Sequence, residues 1–187
     1  MRAVNSFIVT PLGGELFNNY KTVDGKKIAV STSIEGHTTT NRHAVVTSVP
    51  GRYNGPIKDG YFLVVHHNTF RKTYDMQGVE KFAAGHIRDN YYMIDDIEIF
   101  AYRKSQKDAW IPIEPFCFVE PILDTNDDNK NAMIELNGIM KYSNKELTDQ
   151  GVNNGDHVVF TPDSEYEFML DDQKLYKINS SSICLKL

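Results

Sequence analysis

The chain has little cysteine, two residues in 187, Cys117 and Cys184. That excludes a disulfide framework. Both lie in apolar runs, so the expectation is two buried free thiols in a reducing compartment. No apolar run approaches the roughly 18 residues of a membrane-spanning helix. The opening MRAVNSFIVTPLGG lacks the apolar centre and small-residue cleavage site of a signal peptide, so a cytoplasmic setting is expected, with no membrane partner. Gly-x-Ser-x-Gly, P-loop and Gly-x-Gly-x-x-Gly patterns are all missing, and no residue is assigned a catalytic role or a cofactor. Excess positive charge is missing too. The net charge of −5 argues against general nucleic-acid binding. It is unevenly divided: residues 1–105 carry 13 Lys+Arg against 10 Asp+Glu, whereas 106–187 carry 7 against 15. Halves of opposite sign either favour contacts between unlike halves of neighbouring subunits or are simply solvated surface.

Long helical periodicity is nearly absent as well. What is present is a series of short apolar runs separated by Gly, Asn, Asp and Pro. Among them are FIVTPL (7–12), KIAVS (27–31), HAVVTSV (43–49), YFLVVHH (61–67), YYMIDDIEIFAY (91–102), FCFVEPI (116–122), HVVF (157–160), YEFML (166–170) and ICLKL (183–187). This spacing predicts an all-β fold, a barrel or a sandwich. KNAMIELNGIM reads as strand rather than helix, given its neighbours.

The series is written twice. FIVTPL is echoed by CFVEPI. Ile57-Lys58-Asp59-Gly60 before FLVV is echoed by Val152-Asn153-Asn154-Gly155 before HVVF. YMIDDIEIF (92–100) is echoed by YKINSSSICLKL (176–187). Three matches in the same order predict an internal repeat. Its seam falls in the polar, proline-bearing stretch Tyr102–Pro115, giving domains 1–105 and 106–187 joined near Ser105–Ile113.

Together these segments resemble the GroES-like co-chaperonin family. VNNGDHVVF (152–160) and the tail SEYEFMLDDQKLYKINSSSICLKL (164–187) are similar to that family's glycine-aspartate turn and C-terminal hairpin. DGKKIAVSTSIEGHTTTNRHAVV (24–46) is similar to its mobile loop and following strand. The resemblance covers most of both halves and implies two tandem GroES-like irregular β-barrels. The Asn- and Tyr-rich composition looks more like a bacteriophage-encoded form than a plastid one. The implied function is a non-enzymatic co-chaperonin that caps a GroEL-like chaperonin ring and is itself a ring homo-oligomer. In such a ring the last strand of one barrel pairs with the first strand of the next. The implied chaperonin-binding triplet is Ile28, Ala29 and Val30, within a loop from Asn18 to Thr40 (18–40), with Asp24, Gly25 and Gly36 as hinges. A loop of that kind folds on binding and gains strength from repetition round a ring. KIAVS equally suits a plain barrel strand. The second half has only a shortened loop (123–137), whose one candidate triplet, Met133-Ile134-Glu135, ends in a charge. An alternative is a phage virion protein, a capsid or tail component that reuses the tandem barrel.

Two further patterns suggest metal ligands. His66-His67 would place its rings on opposite faces of a strand, so no shared metal is expected. Asp124, Asn126, Asp128 and Glu135 have the spacing of a calcium loop, but Asn129 stands where that loop needs glycine, and a solvated acidic loop is the plainer reading. Tyr53, Phe70, Tyr74, Phe82, Tyr166 and Phe168 fall near turns and suit either core packing or protein contacts.

Overall fold

The computed structural model describes residues 1–17, 20–23, 26–29, 40–123, 133–171 and 173–187. The chain divides into two compact units, Met1–Asp108 and Ala109–Leu187. Among the described residues it is predominantly β.

The first unit contains β1 (Phe7–Pro11), β2 (Tyr20–Val23), β3 (Lys26–Ala29), β4 (His43–Ser48), β5 (Phe62–Val65), β6 (Lys72–Tyr74), β7 (Glu80–Phe82), β8 (His86–Arg88), β9 (Tyr91–Ile94) and β10 (Ile99–Arg103). Its main sheet runs β10-β5-β4-β1-β9-β8, while β2-β3 and β6-β7 are separate two-stranded sheets. The second unit contains β11 (Ile111–Pro112), β12 (Phe116–Leu123), β13 (Met133–Tyr142), α1 (Lys145–Asp149), β14 (His157–Phe160), β15 (Tyr166–Leu170), β16 (Gln173–Asn179) and β17 (Ile183–Lys186). Its six-stranded sheet runs β17-β14-β13-β12-β16-β15. Replacing β1, β4, β5, β9, β8 and β10 by β12, β13, β14, β16, β15 and β17 converts one order into the other.

The equivalence extends to single hydrogen bonds. A β-bulge falls between Ile8 and Val9 where β1 meets β4, and between Phe118 and Val119 where β12 meets β13. Another falls between Ile99 and Ala101 in β10, and one at the matching place in the β14–β17 pair, where Phe160 faces Ile183 and Val159 faces Leu185. Gly60 and Gly155 both adopt a left-handed conformation, with φ of +83° and +91°, which a side chain resists. Gly60 N–H donates to the Val46 carbonyl (2.8 Å) and Gly155 N–H to that of Met140 (2.7 Å). The residue before each glycine caps the preceding strand: Asp59 Oδ1 accepts from Val49 N–H at 2.8 Å and Asn154 Oδ1 from Ser143 N–H at 2.7 Å. Each unit buries apolar residues of its sheet, and in β10 and at the start of β12 consecutive residues are buried, so that both faces of those strands are covered. Phe7, Val9, Leu63, Tyr92 and Ile99 are buried in the first unit, and Cys117, Val119, Met140, Phe160 and Ile178 in the second.

Several expectations are corrected. Neither sheet closes into a barrel among the described residues, since the end strands β8 and β15 do not pair with β10 and β17. YYMIDDIEIFAY is two strands, broken by a 3₁₀ turn at Asp96–Glu98 where Glu98 reaches back to the Asp95 N–H at 3.0 Å. Cys184 is exposed, because β17 is an edge strand whose residues 184–186 are all open to solvent, while Cys117 is buried as expected and its thiol pKa is pushed up to about 12 by desolvation. KNAMIELNGIM does end in strand, within Met133–Tyr142.

Candidate functional site

The two units differ most in the connection that follows their first strand. In the second, β12 and β13 stay paired out to Leu123 opposite Met133. In the first, pairing ends at Pro11 opposite Ala44, and the chain runs through residues 12–42 before β4 begins. Pro11 has no N–H to continue the ladder. Two glycines follow, Gly13 and Gly14, each at φ +75°. They turn the chain sharply within the short segment Leu12–Gly14, whose backbone is not helical at Gly13.

The root of this connection is held by asparagines. Asn41 is buried, at 3% exposure. Its Nδ2 donates to the Leu12 carbonyl (3.0 Å) and the Glu15 carbonyl (2.8 Å). Its Oδ1 accepts from His43 N–H (2.9 Å), and its own N–H donates to the Leu16 carbonyl (2.9 Å). Phe17 bridges Thr40 just outside. Across the root, Asn90 in the β8–β9 turn donates from Nδ2 to the Gly14 carbonyl at 3.1 Å. Four carbonyls within five residues thus end on two asparagines. Beyond the root the connection carries the β2–β3 hairpin, in register Tyr20–Ala29, Lys21–Ile28, Thr22–Lys27 and Val23–Lys26.

Ile28 and Ala29 of the expected triplet therefore lie on a hairpin strand separate from the main sheet. Val30, Asp24, Gly25 and Gly36 fall outside the described residues, as do Asp124, Asn126 and Asp128 of the acidic pattern.

A cavity of about 600 Å³ lies beside the root, between Gly14, Leu16, Lys72, Phe82 and Asn90. Its far wall is the β6–β7 hairpin, which has no counterpart in the second unit, where five residues separate β14 from β15. This hairpin is tightly built. Lys72 pairs with Glu80 at 2.7 Å and sits 4.7 Å over the Phe82 ring. Asp75 Oδ1 accepts the N–H groups of Gln77 and Val79, each at 2.9 Å, and these bonds hold its carboxyl below the ordinary range. Phe82 stacks on His86 at 4.2 Å, His86 lies 5.1 Å from Tyr92, and Tyr92 meets Phe70 edge-on at 4.9 Å. Met76 at the hairpin tip is fully exposed.

Of the aromatics near turns, Phe70 and Phe168 are core, whereas Tyr74 (41%) and Phe82 (43%) are exposed and available for contacts. His66 and His67 do not alternate across a strand. β5 ends at Val65, and His66 caps a 3₁₀ turn by accepting the Asn68 N–H on Nδ1 at 3.1 Å. The two rings lie side by side, 4.2 Å apart. Among the described residues no three His, Cys, Asp or Glu side chains are grouped to hold a metal. No described helix is long and apolar enough to cross a membrane. No protein-family model matches the chain, and no curated protein matches it. Sequence reasoning missed the asparagine root. No spacing in the sequence points to it, because the carbonyls that Asn41 holds lie 26 and 29 positions away.

Proposed function

We propose that this chain is a non-enzymatic co-chaperonin made of two tandem GroES-like domains, each an opened version of the family's barrel. It acts in the cytoplasm of a bacterial or phage-infected cell and assembles into a ring of its own copies. It binds a chaperonin ring through the first unit's connection, with Ile28 and Ala29, and Val30 beside them, as the apolar contact. The observation that carries this reading is the asymmetry of the repeat: two units of one topology, of which, among the described residues, the first has a long connection whose hairpin, outside the main sheet, carries Ile28 and Ala29. One weak contact per chain becomes firm when repeated round a ring.

The test is co-sedimentation with a purified chaperonin double ring, alongside negative-stain imaging of the protein alone. Wild-type chain should form rings and sediment with the chaperonin, while Ile28→Asp should keep its rings and lose sedimentation. Failure of the wild type to sediment overturns the function. Equal sedimentation of Ile28→Asp overturns only the assignment of the segment.

A further inference from the structure

We propose that Asn41, seconded by Asn90, is the positioning residue of this interaction segment: it holds both arms at one fixed root and so sets the geometry in which the segment is offered to a partner. The inference rests on the reading of residues 18–40 as the partner-binding element.

The chemistry of the root dictates the residue. Once strand pairing stops at Pro11, the carbonyls of Leu12, Glu15 and Leu16 turn toward the opposite arm, where donors of Asn41 meet them. The His43 N–H on the returning arm needs an acceptor. One short side chain must therefore supply two donors and one acceptor together, and among the twenty residues asparagine does this at that reach. Aspartate keeps the acceptor and loses both donors. Both arms are engaged by the same amide, the outgoing one through Leu12 and Glu15 and the returning one through His43. Asn90 fixes the outgoing arm again, from a turn that belongs to the main sheet. The sheet does not depend on these bonds. The β1–β4 register from Val9–Val46 to Pro11–Ala44 lies inside the root. The second unit keeps its own connection closed by strand pairs out to Leu123–Met133 instead. Where a binding segment is tethered at a preset root, less orientational freedom is lost on docking.

Amide exchange and chaperonin affinity, measured on the full chain, separate this role from plain stability. In Asn41→Ala the amides of positions 41 and 43 should exchange at least about tenfold faster, while the Val46 amide, bonded to the Tyr61 carbonyl inside the sheet, stays protected. Affinity for the chaperonin should fall about tenfold, with a weaker fall of about threefold in Asn90→Ala. Asn41→Asp should restore protection at His43 alone and leave the affinity low. Unchanged affinity with faster exchange overturns the positioning role, and unchanged exchange overturns the clasp itself. If Asn41→Ala does not fold, the exposed Asn90 decides alone, since its loss costs one surface hydrogen bond and unchanged affinity there refutes the proposal. If wild-type chain does not bind the chaperonin at all, the proposed function has failed, and the exchange data still decide whether the clasp exists.

Discussion

The two units have the same strand order, the same two bulges and the same glycine turn, yet they spend them differently. The second is the economical copy, with long paired strands, a short connection and a five-residue turn between β14 and β15. The first shortens its leading strands and adds two hairpins, β2–β3 and β6–β7, that its sheet does not need. A fold maintained by register and turn geometry can carry extra segments wherever a strand ends, because the surrounding ladder already fixes the ends. Function is therefore expected in what the first unit adds, and stability in what the two share.

The sharpest structural contrast lies opposite the prolines. Pro11 faces Ala44 in the first unit and Pro121 faces Gly138 in the second. A methyl group on Gly138 would run into Val119 Cγ1 and lie 2.8 Å from the Glu120 carbonyl. Gly138→Ala should therefore destabilise the second unit by about 1–3 kcal/mol, as overpacking does. The protein's single tryptophan, Trp110, is buried in that unit with its Nε1–H on Asp171 Oδ2 at 2.8 Å. Tryptophan fluorescence in a urea titration thus reads the second unit, and its midpoint should drop. A midpoint unchanged in Gly138→Ala would mean that position 138 takes a methyl group as Ala44 does, and the contrast between the two units would fall.

A smaller effect tests what is common. At Gly60 and Gly155 an added Cβ meets nothing within 4 Å, so only the left-handed backbone opposes a side chain. Gly60→Ala and Gly155→Ala should each cost about 1–2 kcal/mol. The Gly155 variant should be seen in tryptophan fluorescence. The Gly60 variant should be seen in far-ultraviolet circular dichroism with the fluorescence midpoint unmoved. Costs differing severalfold would break the equivalence of the two turns.

These glycines were legible in the sequence for the same reason that they are costly to replace: few residues tolerate their conformation, so the Gly-turn-strand signature survives in both copies. The runs HAVVTSV, HVVF and YEFML were legible because alternating burial writes a two-residue period. The short helix α1 was not, since five residues capped by Asn144 are too few to show a helical period. The break after Ile94 hid inside an unbroken apolar-acidic run. The asparagine root was hidden most fully. The side chain of Asn41 bonds to carbonyls, and a carbonyl belongs to every residue, so partners 26 and 29 positions away leave no pattern. The β6–β7 hairpin was invisible because its three-residue strands, Lys-Thr-Tyr and Glu-Lys-Phe, carry no apolar alternation on a surface that needs no core.

The smallest expected effect concerns a position where the copies use different physics for one job. The residue after each turn glycine meets the last strand of its unit. In the first, Tyr61 stacks on Tyr102 with ring centres 6.2 Å apart and planes 9° from parallel. In the second, Asp156 pairs with Lys186 at 2.7 Å and also accepts the Asn153 N–H at 2.6 Å. The Lys186 ammonium first, and that N–H second, hold the Asp156 carboxyl below its ordinary range. A folded-state pKa lowered in this way gives stability that is complete above the ordinary carboxylate value of about 4. It is lost as pH falls through the depressed folded value. Asp156→Asn should therefore lower the fluorescence-detected midpoint slightly at pH 7 and not at all well below pH 3, and added salt should shrink the difference at neutral pH. Tyr61→Leu, which removes the stacked pair, should act on the circular dichroism transition alone and be indifferent to salt. A salt-independent loss in Asp156→Asn would show that the carboxylate serves the turn through Asn153 rather than the strand through Lys186, and the two copies would then be closed by unlike contacts at unlike places.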